Sequence, residues 1–202
     1  MRNCGCALFT AKKSTFVANM ATKTLLDARD CDLTLHRLCC QLNEVHFPWN
    51  NSVIIGLQPR GTRLAEAIVS RLQREHGINE VPFGALDITF HRDDFRRREE
   101  PLAASPNQMD VLVEGKRVII VDDVLYTGRS VRAAMDALQD YGRPQRVELC
   151  VLVDRRFSRE LPIQPDYSGR RVDAIAEERV RLEWADDLPS VLIESTPHAA
   201  QR

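Results

Sequence analysis

The stretch Val118-Ile119-Ile120-Val121-Asp122-Asp123-Val124-Leu125-Tyr126-Thr127-Gly128-Arg129-Ser130-Val131 decides the reading of this chain. Its continuous β-branched run is the pattern of a strand buried on both faces of a parallel sheet. That strand runs into two adjacent carboxylates, and a Thr-Gly-Arg-Ser turn just beyond them opens a helix. The spacing predicts a strand over 116–123 and a helix over 127–141, ended by Gly142 and Pro144. The carboxylates then sit at the carboxyl edge of the sheet, where ligands of open α/β folds bind. The helix start offers unpaired N–H groups and a positive dipole end, Gly128 lets the backbone approach a ligand closely, and Thr127 and Ser130 add hydroxyls. That combination suits a phosphate monoester. The two carboxylates suit the vicinal hydroxyls of a sugar, or a Mg²⁺ held through oxygen ligands.

Working outward, Val53, Ile54, Ile55, Gly56 and Leu57 form another short buried run. Gln58-Pro59-Arg60-Gly61 follows as a tight loop, and Leu64, Ile68 and Leu72 then recur at helical spacing. Upstream, Leu35, Leu38, Leu42 and Val45, joined by Cys31 and Cys39, predict a helix from Asp30 that stops near Pro48. Residues 83–90 read as a strand with Pro82 at its edge, 147–154 as another, and 180–184 and 191–194 as two short ones. Between Asp154 and these last strands lies a Pro-rich, irregular segment. The polar stretch 91–107 is too long for an ordinary connection and reads as disordered or as a functional lid, with Arg96, Arg97 and Arg98 at its centre. Alternation of buried strands with helices gives an α/β fold with a parallel, doubly wound sheet. A Walker A loop is excluded, because the glycine it needs five positions before Gly128 is Asp123. No G-x-G-x-x-G occurs either.

At 202 residues the chain has the length of one α/β domain. We read 1–19 as a disordered or spurious tail, 20–195 as the domain, and 196–202 as a C-terminal tail. A formal charge of -1 gives no global attraction to nucleic acid or anionic membrane. No apolar run has the length of a membrane span or a secretory signal, so the expected compartment is the cytoplasm. Six cysteines are present, but their spacing forms no paired C-x-x-C signature, so we expect reduced, mostly buried thiols.

The segment 118–131 resembles the binding motif for 5-phosphoribosyl-1-pyrophosphate (PRPP) in type I phosphoribosyltransferases, two acidic residues followed by T-G-x-[ST]. The resemblance is closer still to the pyrimidine operon regulator and uracil phosphoribosyltransferase family, PyrR. It is carried by Asp87-Ile88-Thr89 with Arg92-Asp93-Asp94, by VDDVLYTGRSVRAAMDAL, by Gly142-Arg143-Pro144, by Val153-Asp154-Arg155 with Arg159-Glu160-Leu161-Pro162-Ile163, and by Asp166-Tyr167-Ser168-Gly169. These motifs cover most of the chain from about 26 to 194, in the family's order.

The resemblance implies a mostly parallel central sheet flanked by helices under a small hood, and conversion of uracil and Mg²⁺-PRPP to UMP and pyrophosphate. It implies that Asp122 and Asp123 take the ribose hydroxyls, touching Mg²⁺ only indirectly, through PRPP or water. It gives the 5-phosphate to Thr127, Gly128, Arg129 and Ser130, and the pyrophosphate to a loop of Pro59, Arg60 and Gly61, with Arg60 counted beside the aspartates as catalytic. Pro59 departs from the residue usual at its place. The base falls to Tyr126, Asp154 and Arg155, with the hood over 155–163. Purine-salvage relatives carry a carboxylate where this chain has Tyr126, which points to a pyrimidine. Transfer from PRPP passes through a transition state of oxocarbenium character, so charge placement suffices, and no residue stands out as a general base. The lid arginines would exclude water. Family relatives assemble as dimers or tetramers and bind pyrimidine messenger RNA through a basic surface. The candidates here are Arg37, Arg143, Arg146, Arg155, Arg156, Arg170 and Arg171, but the near-neutral charge makes us expect catalysis with weak or no RNA binding. The rivals are an RNA-binding regulator with residual catalysis and a phosphoribosyltransferase for a purine or orotate.

Overall fold

The computed structural model describes residues 21–93, 108–175, 178–185 and 187–195. The two tails, Cys4, Cys6 and the lid arginines Arg96, Arg97 and Arg98 lie outside the described residues. The described elements are β1 (Ala21–Leu26), α1 (Ala28–His46), β2 (Ser52–Leu57), α2 (Arg60–His76), β3 (Phe83–Leu86), β4 (Arg117–Leu125), α3 (Arg129–Leu138), β5 (Arg146–Arg155), β6 (Tyr167–Val172), β7 (Glu178–Ala185) and β8 (Leu188–Ser195). Short 3₁₀ turns occupy Thr89–His91, Gln139–Tyr141 and Arg156–Ser158.

The five strands β3-β2-β4-β5-β6 form a sheet that is parallel at each pairing. Its central strands are apolar on both faces because helices cover both. Ile54, Ile119, Val121, Cys150 and Leu152 pack with α1 and α2, whereas Val53, Ile55, Val118, Ile120 and Val151 pack with α3. A smaller antiparallel sheet, ordered β1-β8-β7, joins the first of these cores through Leu26, Val180, Leu182 and Val191. Asp27 caps α1, its side chain accepting the Asp30 N–H at 2.8 Å. Among the described residues, no helix is long and apolar enough to cross a membrane.

Several boundaries differ from the sequence expectation. β3 stops at Leu86 rather than running to Phe90, because Asp87 Oδ1 accepts the Thr89 N–H at 2.7 Å and turns the chain into a 3₁₀ turn. β4 runs two residues past the expected end at Asp123, to Leu125, so the aspartates lie within the strand and are not its last residues. α2 begins at Arg60, which makes Arg60 and Gly61 helical and not loop residues. The segment read as irregular contains β6, which pairs with β5 at Cys150↔Tyr167 and Val151↔Ser168. β1 was also unanticipated; it pairs with β8, far away in sequence.

A polar cluster lies at the amino ends of the strands. His46, its side chain fully buried, has Nδ1 2.9 Å from Ser52 Oγ and Nε2 2.9 Å from Glu148 Oε2. Glu148 also accepts from Arg117 at 2.8 Å and from the Tyr167 hydroxyl at 3.1 Å, and lies 2.9 Å from Arg146. Burial pulls the His46 imidazole below its ordinary value.

Candidate active site

At the opposite, carboxyl end of the parallel sheet lies a cavity of about 450 Å³. Its position follows from two close approaches. A Cβ on Gly56 would lie 2.6 Å from Thr62 Cα, and one on Gly61 would lie 2.4 Å from Val121 O and 3.0 Å from Asp122 Cα. Only glycine lets the first turn of α2 rest against β4 this tightly. The result places Arg60 Nε 3.3 Å from Asp123 Oδ2. Gln58, Pro59 and Arg60 line the cavity on this side, and the Gln58–Pro59 peptide bond is cis.

The two aspartates part company. Asp122 is partly exposed and lines the cavity. Burial, and next the charge of Asp123, push its carboxyl well above the ordinary range, with Arg60 opposing. Asp123 is buried behind it; its Oδ1 accepts the Val124 N–H at 2.8 Å, and its Oδ2 faces Arg60 without a hydrogen-bond partner. The sequence treats the pair as equivalent, but alternation along the strand sends neighbouring side chains to opposite faces.

The turn expected to hold a phosphate lies on the same cavity. Gly128 adopts φ +93° and forms the N-cap of α3 without a side-chain cap bond of its own; Thr127 Oγ1 accepts the Arg129 N–H at 3.4 Å, and the N–H groups that follow it open the helix toward the cavity. Thr127, Ser130 and Val131 line the cavity beside it. The turn is braced from behind. Thr127 O accepts the N–H groups of Glu160 and Leu161 at 3.1 and 3.2 Å, and Ile163 packs against Gly128. Arg129 Nε donates to Glu160 at 2.7 Å and its guanidinium also pairs with Asp93. Both carboxylates raise the arginine's affinity for its proton. Arg129 therefore offers the cavity its backbone, while its side chain ties the turn to Asp93 and Glu160.

A third side is closed by Tyr126, Arg155 and the start of β7, where Glu178, Arg179 and Val180 line the cavity. The Arg155 guanidinium sits 4.2 Å from the centroid of the Tyr126 ring, and its NH2 donates to Ile175 O at 2.9 Å. Asp154, grouped with them in the sequence reading, does not line the cavity; it is buried against Arg159, which also donates to Tyr126 O at 2.6 Å. Of the segment 155–163, expected as the hood, Arg155 lines the cavity while Glu160, Leu161 and Ile163 brace the 127–130 turn, and β7 of the small sheet adds cover. Ile88 and Arg92 stand in stretches that carried the resemblance but were given no site role, and Glu178, Arg179 and Val180 were missed, since nothing local marks residues brought in by a distant strand.

Among the described residues, no group of three or more His, Cys, Asp or Glu side chains is placed to hold a metal. With Asp123 turned to Arg60, Asp122 and, on the β7 wall, Glu178 are the carboxylates that line the cavity among the described residues; this sparse donor set fits a Mg²⁺ carried in by a substrate's own oxygens. Several of the basic candidates carry acidic partners. Arg37, Arg170 and Arg171 line a cleft between α1 and β6, and Arg37 donates to Gly169 O at 2.5 Å. Arg146 lies 3.6 Å from Asp166 on that cleft. Arg143 is exposed elsewhere, Arg146 pairs with Glu148, Arg156 pairs with Asp173, and Arg155 belongs to the cavity.

The phosphoribosyl transferase domain family matches residues 21–186. A protein named "Bifunctional protein PyrR" from Microcystis aeruginosa is 44% identical over 158 residues, 78% of this chain and 88% of the relative. A PyrR from Enterococcus faecalis is 43% identical over 167 residues, 83% of this chain and 92% of its own. Among solved structures, a hypoxanthine phosphoribosyltransferase from Staphylococcus aureus superposes with a TM-score of 0.59 at 19% identity, covering 76% of this chain and 80% of that one. A hypoxanthine-guanine phosphoribosyltransferase from Bacillus anthracis gives 0.60 at 17%, covering 75% and 84%. At such identities the structures speak to the fold, which is the type I phosphoribosyltransferase fold.

Proposed function

The chain belongs to the PyrR family of phosphoribosyl transferase domains, and on that premise we propose that it is a cytoplasmic uracil phosphoribosyltransferase making UMP and pyrophosphate from uracil and PRPP. One observation carries the reading: Asp122 lies in a single cavity between two helix starts, that of α2 with Arg60 and that of α3 with the 127–130 turn. PRPP bears an anionic group at each end of a ribose, which is the charge pattern this arrangement complements.

The α3 turn binds the 5-phosphate through backbone N–H groups and the Thr127 and Ser130 hydroxyls. Asp122 accepts from a ribose hydroxyl, and its raised proton affinity lets it hold that bond in either protonation state. Arg60 and the first N–H groups of α2 face the departing pyrophosphate, and Asp123 keeps Arg60 in place. Mg²⁺ arriving with PRPP supplies further neutralisation of the pyrophosphate charge. Tyr126, Arg155 and β7 enclose the remaining volume for the base.

The test is a product assay with Mg²⁺-PRPP and uracil, orotate, hypoxanthine and guanine in turn. Uracil turnover is expected to lead, and hypoxanthine or orotate turnover well above it would remove the pyrimidine assignment. A second reading, an RNA-binding regulator with residual catalysis, is favoured by the cleft of Arg37, Arg170 and Arg171. Asp166 on the same cleft and the charge of -1 weigh against it. Filter binding to the pyrimidine leader RNA separates the two, with tight, salt-sensitive retention favouring the regulator.

A further inference from the structure

Away from the candidate active site, five side chains meet where α1 packs on α2. Cys40 Sγ lies 3.7 Å from His36 Nε2, one turn back on α1, and 4.0 Å from His76 Nε2 in the last turn of α2. Each imidazole is held by its other nitrogen: His36 Nδ1 is 2.8 Å from Glu75 Oε2, and His76 Nδ1 is 3.4 Å from Asn43 Nδ2. None of the five lines the cavity that holds Asp122. Among the described residues Cys31, Cys39 and Cys150 are buried, and Cys40 is the free thiol that is not.

The partners decide which nitrogen of each ring carries the proton. The hydrogen bond with His36 holds the Glu75 carboxyl below its ordinary range, so Glu75 is ionised and can only accept. His36 therefore donates from Nδ1 and turns the lone pair of Nε2 toward the thiol. At His76 the order is reversed. Asn43 Oδ1 accepts from Trp49 Nε1 at 3.2 Å, and an indole N–H can only donate. The amide thus presents its NH₂ to His76 Nδ1, and the proton of the neutral His76 ring falls on Nε2, facing the sulfur. A metal ion has no place here, since a protonated ring nitrogen cannot ligate one. The other charges nearby are Arg71 and Arg74, 3.4 and 3.7 Å from Glu75, which hold Oε1 and leave Oε2 to His36. On α1 there are Arg37, which reaches away to Gly169 O, and Glu44, one turn beyond Cys40.

We propose that Cys40 is a nucleophilic thiol, with His36 as its base and His76 as a hydrogen-bond donor to its sulfur, and that it exchanges with low-molecular-weight disulfides. A base within reach of a nucleophile and oriented by a third group is the arrangement that activates thiols. The S–H proton passes to His36 Nε2 as the Cys40 sulfur attacks one sulfur of the disulfide, and the His76 N–H supports the charge on Sγ. A new S–S bond to Cys40 forms while the old one breaks, and the departing sulfur leaves with that electron pair and takes the proton from His36. Cys40 ends oxidised as a mixed disulfide, and the other half of the reagent ends reduced as a thiol. The site is separate from the uracil reading and does not depend on it.

The experiment uses the full chain with Cys4 and Cys6 replaced by serine, the disulfide of glutathione as the probe, and mass spectrometry to follow the mixed disulfide. Exchange at Cys40 is expected at pH 7 to be about tenfold faster in the folded chain than in urea. A folded rate no greater than the urea rate overturns the inference. His36→Gln is expected to slow exchange about 10²-fold, to below the urea rate, since partial burial hinders an unassisted thiol. Its rate should rise about tenfold per pH unit between about pH 6 and 8, as for a thiol that must ionise alone, whereas the parent rises less steeply. Equal slopes in the two also overturn it. His76→Leu is expected to slow exchange about tenfold, and His76→Gln, which keeps an N–H, to recover part of that loss. If a variant does not fold, the comparison of folded and urea rates in the parent still decides.

Discussion

Replacing Gly61 by alanine tests the contact that joins the fold to the site. The added Cβ would lie 2.4 Å from Val121 O, and ordinary van der Waals contact begins near 3.4 Å, so the overlap is about 1 Å. Val121 O belongs to the central strand and cannot give way, so the first turn of α2 must lift from β4 by a comparable distance. Overpacking of this kind costs about 1–3 kcal/mol, which for a chain of this size lowers Tm by roughly 2–4 °C per kcal/mol. Arg60, the adjacent residue, moves with the turn, away from Asp123. A displacement of about 1 Å in a positioning group can cost about 10²-fold in rate. We therefore expect Gly61→Ala to lose that much kcat/KM for PRPP in a uracil product assay, alongside a measurable fall in Tm by circular dichroism. Gly77→Ala is the control. Gly77 sits at the far end of α2 with φ +63° and open space around its Cβ position, so it should lose stability without losing relative activity. A Gly61→Ala protein with lowered Tm and unchanged kcat/KM would refute the link between the seat of α2 and the chemistry.

Asp122→Asn should lower kcat/KM by about 10²- to 10³-fold while the urea midpoint stays at the wild-type value; a matching loss of stability would make Asp122 a structural strand residue. For His46, burial depresses the folded-state value below the ordinary 6.5, so the unfolded chain binds the proton first as pH falls. Stability by urea denaturation should accordingly drop as pH is lowered through about 6.5, and His46→Gln should flatten the profile there; an equal slope in the variant would exclude His46 as the source. Glu148, also held below its ordinary value, adds a loss in the same direction only as pH falls below 4.5. With Cys4 and Cys6 replaced by serine, iodoacetamide should label Cys40 alone under native conditions, because Cys31, Cys39 and Cys150 are buried and burial pushes Cys31 and Cys39 up to about 12. Mass spectrometry finding the label on Cys39 would contradict the packing of α1.

The parallel core was legible because its signals are local. Val118, Ile119, Ile120 and Val121 are buried on both faces whatever their neighbours, and the repeats in α1 and α2 follow from one face meeting the sheet. β1 and β6 were not legible for the opposite reason. β1 alternates weakly through Thr22, Lys23 and Thr24 and exists through its pairing with β8. β6, with Gly169, Arg170 and Arg171, lies at the sheet edge, where burial imposes little pattern. Hydrophobic periodicity reports how a segment meets the core, and an edge strand meets it least.

The same distinction divides the site. The two corners at the starts of α2 and α3 are each built within a few residues of one strand-to-helix turn, so their glycines, hydroxyls and arginine can be read directly from 56–61 and 122–130. The third corner is assembled from the end of β4, the end of β5 and the start of β7, so no single stretch of sequence displays it. The resemblance grouped Arg155 with its neighbour Asp154 as base residues. The fold gives that aspartate to Arg159 and sets an aromatic ring against the guanidinium instead. Which carboxylate an arginine meets is a property of the assembled cavity: Glu178, brought in by β7, supplies charge that favours the protonated Arg155 guanidinium, and nothing near Arg155 in the sequence announces it.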